Sequence, residues 1–197
     1  TQQLAEVQAI LDTPGAATFE NTIVALEKSG QMLMRTLLVF FNKSSSDTSD
    51  ALDKIEEEMA PKLAAHQDAI NLNPVLYNRI KSLYDNRESI GLNTEDAWLL
   101  ERYYKDLIHA GAHLSESERG RLKELNEELS KLETQFSKNV LADTNDLAVL
   151  VHTIEELDGL SENEIASAAA AAKDRGHEGK WLIGMVNFSG NPVLDSL

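Results

Sequence analysis

The chain has 197 residues, enough for one good-sized domain, with 42% hydrophobic and 26% charged side chains, so extended disorder is excluded. It has no Cys, which removes disulfides, Cys-ligated zinc, iron–sulfur clusters and a thiol nucleophile. The formal charge of −15 argues against nucleic-acid partners, which need clustered Lys and Arg, and against anionic membranes.

The charges are scattered and read as a solvated surface. No run of 18 apolar residues would span a bilayer, and TQQLAEVQAI has neither the basic nor the apolar region of a signal peptide. It also lacks an initial Met, so the chain is expected to start inside a longer protein.

Scarce Gly and Pro (10 and 4) point to helices. Leu4, Val7, Ile10 and Leu11 share one helical face, and Pro14-Gly15 stops it. Thr18 is a good N-cap for a second helix, with Phe19, Ile23, Leu26, Gly30, Leu33, Leu37 and Phe40 in alternating steps of four and three. That seam predicts one long helix lying nearly antiparallel to a neighbour, with Gly30 either admitting a close approach or weakening the helix. Ser44-Ser45-Ser46-Asp47 ends it. Asp47 or Thr48 caps the next stripe, Leu52, Ile55, Met59, Leu63, His66 and Ile70, where Pro61 predicts a kink or a break. Asn73-Pro74 reads as N-cap and first helical residue, followed by Leu76, Ile80, Leu83 and Tyr84, with Gly91 as the stop. Thr94 opens a stripe through Leu100, Tyr103, Tyr104 and Leu107. Ser115 and Glu118 form a capping box for the strongest helix, with Leu122, Leu125, Leu129, Leu132, Phe136 and Val140 on one face and Lys123–Glu127 and Glu127–Lys131 outside.

The period then changes. Leu147 to His152 and Trp181 to Val186 read as short buried strands around a helix capped by Ser161 and Glu164, pairing in either direction. Ser189-Gly190-Asn191-Pro192 breaks the pattern before a leftover apolar Val193-Leu194. The fold class is therefore mainly α, with long antiparallel helices in a bundle-like arrangement and a small β element near the C-terminus. Residues 1–145 form the helical domain and 146–197 a strand–helix–strand segment.

No spacing delivers a catalytic centre. His109 and His113 stand at zinc-ligand spacing, but Ala110 replaces the general-base Glu, Gly111 ends the helix and no third ligand follows. His177-Glu178 starts like H-E-x-x-H but ends at Trp181. Glu56-Glu57-Glu58 and Glu127-Glu128 point apart on helices and read as solvated faces. P-loop, dinucleotide and nucleophile-elbow motifs are missing.

Five stretches carry a resemblance: Phe19 to Glu27 (FENTIVALE), Val39 to Asn42 (VFFN), Glu58 to His66 (EMAPKLAAH), Leu99 to Tyr103 (LLERY) and Thr134 to Asp143 (TQFSKNVLAD). In this order they resemble the N-terminal region of the zinc metallopeptidases that include peptidyl-dipeptidase Dcp, oligopeptidase A, thimet oligopeptidase and neurolysin, the Dcp branch above all. The resemblance implies a cytoplasmic parent enzyme that hydrolyses oligopeptides, releasing C-terminal dipeptides. Its zinc is held by two His of H-E-x-x-H and a later Glu, all in a C-terminal catalytic domain beyond this chain. It implies that this chain forms one wall of the substrate channel. No catalytic, cofactor-binding or metal-ligating residue is carried over, and the chain alone is expected to be inactive. The competing reading is a stand-alone helical scaffold whose seams bind partner helices. The apolar surface meant for the absent domain is expected at Leu147 to His152 and Trp181 to Val186.

Overall fold

A computed structural model describes residues 1–184. The expected break at Ser189 to Pro192, Val193-Leu194 and the Met185-Val186 end of the second strand lie outside the described residues. The chain is mainly α with one small sheet near its C-terminus. It divides into two compact units, Thr1–Thr134 and Gln135–Leu197.

In the first unit, α1 (Gln2–Leu11) buries Val7 and Ile10. Thr18 caps the next element as its residue type predicts: its hydroxyl accepts from the Asn21 N–H at 3.1 Å, and the Asn21 side chain accepts from the Thr18 N–H at 2.9 Å. The single long helix expected from Thr18 to Phe40 is a correction. It is three pieces: a π-helical turn at Glu20–Val24, α2 (Ala25–Lys28) and α3 (Gln31–Ser46). The break falls at Gly30, whose φ of +70° is left-handed and open to Gly at little cost. The apolar seam continues across the break, because Leu33, Leu37 and Phe40 form the half-buried side of α3.

Gly30 is also a contact point. Its N–H donates to the Glu6 carboxylate at 2.7 Å, and this bond, with a second from the Gln2 amide, holds the Glu6 carboxyl below its usual range. A Cβ at Gly30 would lie 2.3 Å from the Gln3 side chain. Gly30→Ala is therefore expected to destabilise the chain by about 1–3 kcal/mol, read from the denaturant midpoint. Adding Gln3→Ala should relieve the steric part and leave the backbone part; full recovery would show that φ is not strained.

α4 (Asp50–Asn71) starts one to two residues later than expected, with Ser49 as cap, its hydroxyl accepting from the Leu52 N–H. It runs through Pro61 as one helix. Of the expected kink or break, the break is corrected: Pro61 lacks only its own N–H, and the turns on either side carry the helix across. α5 (Pro74–Asp85) begins as predicted, with Asn73 Oδ1 accepting from the N–H groups of Val75 and Leu76 at 2.9 and 3.1 Å. It stops at Asp85, six residues short of Gly91, which sits in the following turn at φ +71°. α6 (Thr94–Ala110) is capped by Asn93 and closed by left-handed Gly111. The core joins α1, α2, α4, α5 and α6: Val7, Ile10, Ile23, Leu26, Ile70, Leu76, Ile80, Leu83, Leu100 and Leu107 are all buried.

α7 (Glu116–Asp146) carries the Ser115–Glu118 capping box, and the unit boundary falls within it. Its predicted stripe does not enter the core. Leu125, Leu129, Leu132 and Phe136 are 44, 52, 59 and 69% exposed. Leu122 and Val140 of the stripe are half-buried, as are Asn126, Ser130 and Thr134, and Asn126 donates to Asp68 of α4 at 2.8 Å. Burial raises the Asp68 carboxyl above its usual range, opposed by that bond and by the charge of Lys123. Glu127 pairs with Lys131 at 2.6 Å, as its spacing predicts.

In the second unit, β1 (Val149–Val151) pairs antiparallel with β2 (Trp181–Ile183), Leu150 opposite Leu182. β1 is shorter than its apolar run, and Val149 is half exposed, so the expectation of a fully buried strand holds for Val151 alone in β1. A 3₁₀ turn (Ile154–Leu157) leads to α8 (Glu162–Asp174), which has the predicted Ser161–Glu164 box and packs on β2. Leu157, Ala168, Ala172 and Leu182 are buried here. The Arg175 guanidinium donates to the Asn145 backbone and side-chain oxygens at 2.9 and 2.7 Å.

Candidate functional site

The first unit holds two adjoining clefts. One, of about 420 Å³, lies between α3 and α4, with Leu33, Met34 and Leu37 on one side and Leu63, His66 and Gln67 on the other. Gln3, Glu27 and Gly30 close its end. The second, of about 370 Å³, lies between α4 and α6, lined by Asn71, Trp98, Arg102, Tyr103 and Asp106. Glu27 and Gln67 belong to both.

His66 and Tyr103 are held in place within the clefts. The His66 ring is buried, with Nδ1 3.1 Å from the Thr1 hydroxyl and Nε2 2.7 Å from Gln3 Oε1. Burial, then the charge of the chain's amino group, keeps its pKa below the usual value. A neutral imidazole satisfies both contacts, with Nε2 donating to Gln3 and Nδ1 accepting from Thr1. The Tyr103 hydroxyl donates to Glu27 Oε1 at 2.6 Å. Burial first, and the Glu27 carboxylate second, push the phenol well above its ordinary range. Tyr103 is therefore a fixed donor and not a base. With the amides of Gln67 and Asn71, the Arg102 guanidinium and the exposed Trp98 face, the surface can bind a polar chain with apolar side groups. It sets no nucleophile beside a base.

The FENTI segment proves structural in a way its local pattern did not reveal. Thr22, fully buried, donates to Asn21 Oδ1 at 2.8 Å. Arg79 of α5 donates to Thr22 Oγ1 and Asn21 Oδ1, both at 2.9 Å, and to the Thr13 carbonyl at 3.4 Å. The partners are 57 to 66 residues apart in sequence, so no spacing rule exposes them.

The motifs that resembled sites are dispersed. His109 is exposed in the last turn of α6, and His113 lies beyond the Gly111 stop, so one helical face does not carry both. His177 and Glu178 are exposed in the turn after α8. In Glu56-Glu57-Glu58, Glu56 accepts from the Ser44 hydroxyl at 2.6 Å while Glu58 pairs with Lys62 at 2.6 Å, so these carboxylates diverge. Among the described residues no group of three His, Asp or Glu could hold a metal ion. These residues do not fit the family's zinc site. The chain is expected to retain less than about 0.1 zinc per molecule after dialysis against metal-free buffer, unchanged by His109→Ala. One tightly held zinc, lost in that variant, would contradict this.

No family profile matches the chain. A dipeptidyl carboxypeptidase of Escherichia coli (strain K12) is 38% identical over 193 residues, which is 98% of the chain and 28% of that protein. The dipeptidyl carboxypeptidase of Salmonella typhimurium is 36% identical over 196 residues, 100% of the chain and 29% of that protein. The oligopeptidase A of the same organism is 26% identical over 178 residues, covering 90% of the chain and 26% of that protein. The chain thus spans little more than a quarter of the length of the curated relatives it matches. At 36 to 38% identity over 98 to 100% of its length, the chain belongs to the family of the dipeptidyl carboxypeptidases and oligopeptidase A.

Proposed function

We propose that the chain is the N-terminal helical portion of a cytoplasmic zinc peptidase that releases dipeptides from the C-termini of oligopeptides. The observation that carries this is the 38% identity over 98% of the chain against 28% of a dipeptidyl carboxypeptidase. Within that enzyme, residues 1–145 form a helical wall of the substrate channel, and residues 146–197 lead into the catalytic domain. The α3–α4 and α4–α6 clefts are the surfaces suited to that role: Gln67 and Asn71 offer amides to a peptide backbone, and Leu33, Leu37, Leu63 and Trp98 meet side chains. Zinc, when bound by residues outside this chain, polarises the scissile carbonyl and activates water. Residues of this chain hold and align the peptide, and none moves a proton in the reaction.

No helix among the described residues is long and apolar enough to cross a membrane. The scaffold reading gains from no specific observation, since the identity is to peptidases. The test is expression of the complete reading frame. It should encode H-E-x-x-H downstream, bind one zinc, and shorten a decapeptide by two residues at a time from its C-terminus. A frame without that motif, or products cut only internally, would overturn the reading or its dipeptide part respectively.

A further inference from the structure

On α7, Leu125, Leu129 and Leu132 form an apolar stripe that faces away from the core of the first unit. They repeat in steps of four and three, and their exposure rises from 44 to 59% along the helix. The helix is held instead by its polar side, through Asn126 and Asp68. A stripe of this spacing on a 31-residue helix is a seam for another helix. Among the described residues α7 has no buried side chain, so the seam is uncovered.

We infer that this stripe docks a helix of the same polypeptide, from the part of the parent protein outside these 197 residues. This rests on the peptidase reading. Relatives devote only 28 to 29% of their length to the matched region, so ample chain exists to supply the partner. Charge argues against a second copy as the occupant. The charged residues that flank the stripe are Glu128 and Glu133. A second α7 running parallel would set these two acids against each other, on a chain already at −15. The partner helix is expected to carry an apolar seam flanked by Lys or Arg.

The experiment expresses residues 1–197 and the remainder of the reading frame as separate polypeptides and measures their association. The double variant Leu129→Lys with Leu132→Lys should weaken the complex at least about 100-fold. It should leave the helical circular dichroism of the isolated chain unchanged, because both leucines are exposed there. Lys131→Gln, beside the stripe's polar flank, should change association less than about threefold. Failure of the wild-type pieces to associate, equal association of the double variant, or loss of its helicity would each overturn the inference. So would a dimer of the isolated chain that the double variant disperses. Dipeptide release by the uncut protein is read separately: its absence beside an intact seam effect would sink the peptidase reading and leave the docking.

Discussion

Ile80→Ala is expected to lower the unfolding free energy by about 2–5 kcal/mol, whereas Leu132→Ala should cost less than about 1 kcal/mol. Both remove a branched aliphatic side chain from a long helix. Ile80 is fully buried where α5 meets α6 and the FENTI turn, so truncation loses the transfer energy and leaves a cavity. Leu132 is 59% exposed, so little is removed from contact. Urea midpoints of the two variants measure the contrast. Equal losses would mean that the α7 stripe is packed in the isolated chain and that the uncovered seam does not exist.

Arg79→Ala should cost about 2–4 kcal/mol, because three charge-assisted donations to Asn21, Thr22 and Thr13 are lost together. Thr22 is fully buried, so its hydroxyl oxygen would lose the guanidinium donor without water to replace it. Arg79→Lys should recover less than half of the loss, since one ammonium cannot span the acceptors that the planar fork reaches. Thermal unfolding monitored at 222 nm is the readout. A loss below about 1 kcal/mol, or full recovery by Lys, would show that the π-helical turn holds without the clamp.

These two sites mark what was legible in the sequence. The caps at Thr18, Asn73, Ser115 and Ser161 were readable because capping couples residues two or three apart. The inner side of α3 was readable as Leu33, Leu37 and Phe40. The break at Gly30 was not, because the apolar phase survives it, and a left-handed glycine looks locally like a weak helix position. The α7 seam was correctly seen as apolar and wrongly placed in the core. Periodicity shows that a face requires cover and not what covers it. The uncovered surface was expected at Leu147 to His152 and Trp181 to Val186. There Leu147 and Val149 are 69 and 50% exposed, as expected, while β1 and β2 pair with each other; among the described residues, exposed apolar side chains also stand on α3, α6 and α7. The clefts and the FENTI clamp were illegible for a third reason. Glu27 and Tyr103 meet across 76 residues, and Arg79 reaches Asn21 across 58.

The proposed function assigns shaping and binding to this chain and the chemistry to the rest of the protein. The direct measurement is mass spectrometry of a decapeptide incubated with the purified 197-residue chain and excess zinc, beside the product of the complete reading frame. The account predicts stepwise loss of C-terminal dipeptides with the complete protein and an intact decapeptide with the chain alone. Dipeptide release by the chain alone, in proportion to its concentration, would contradict it.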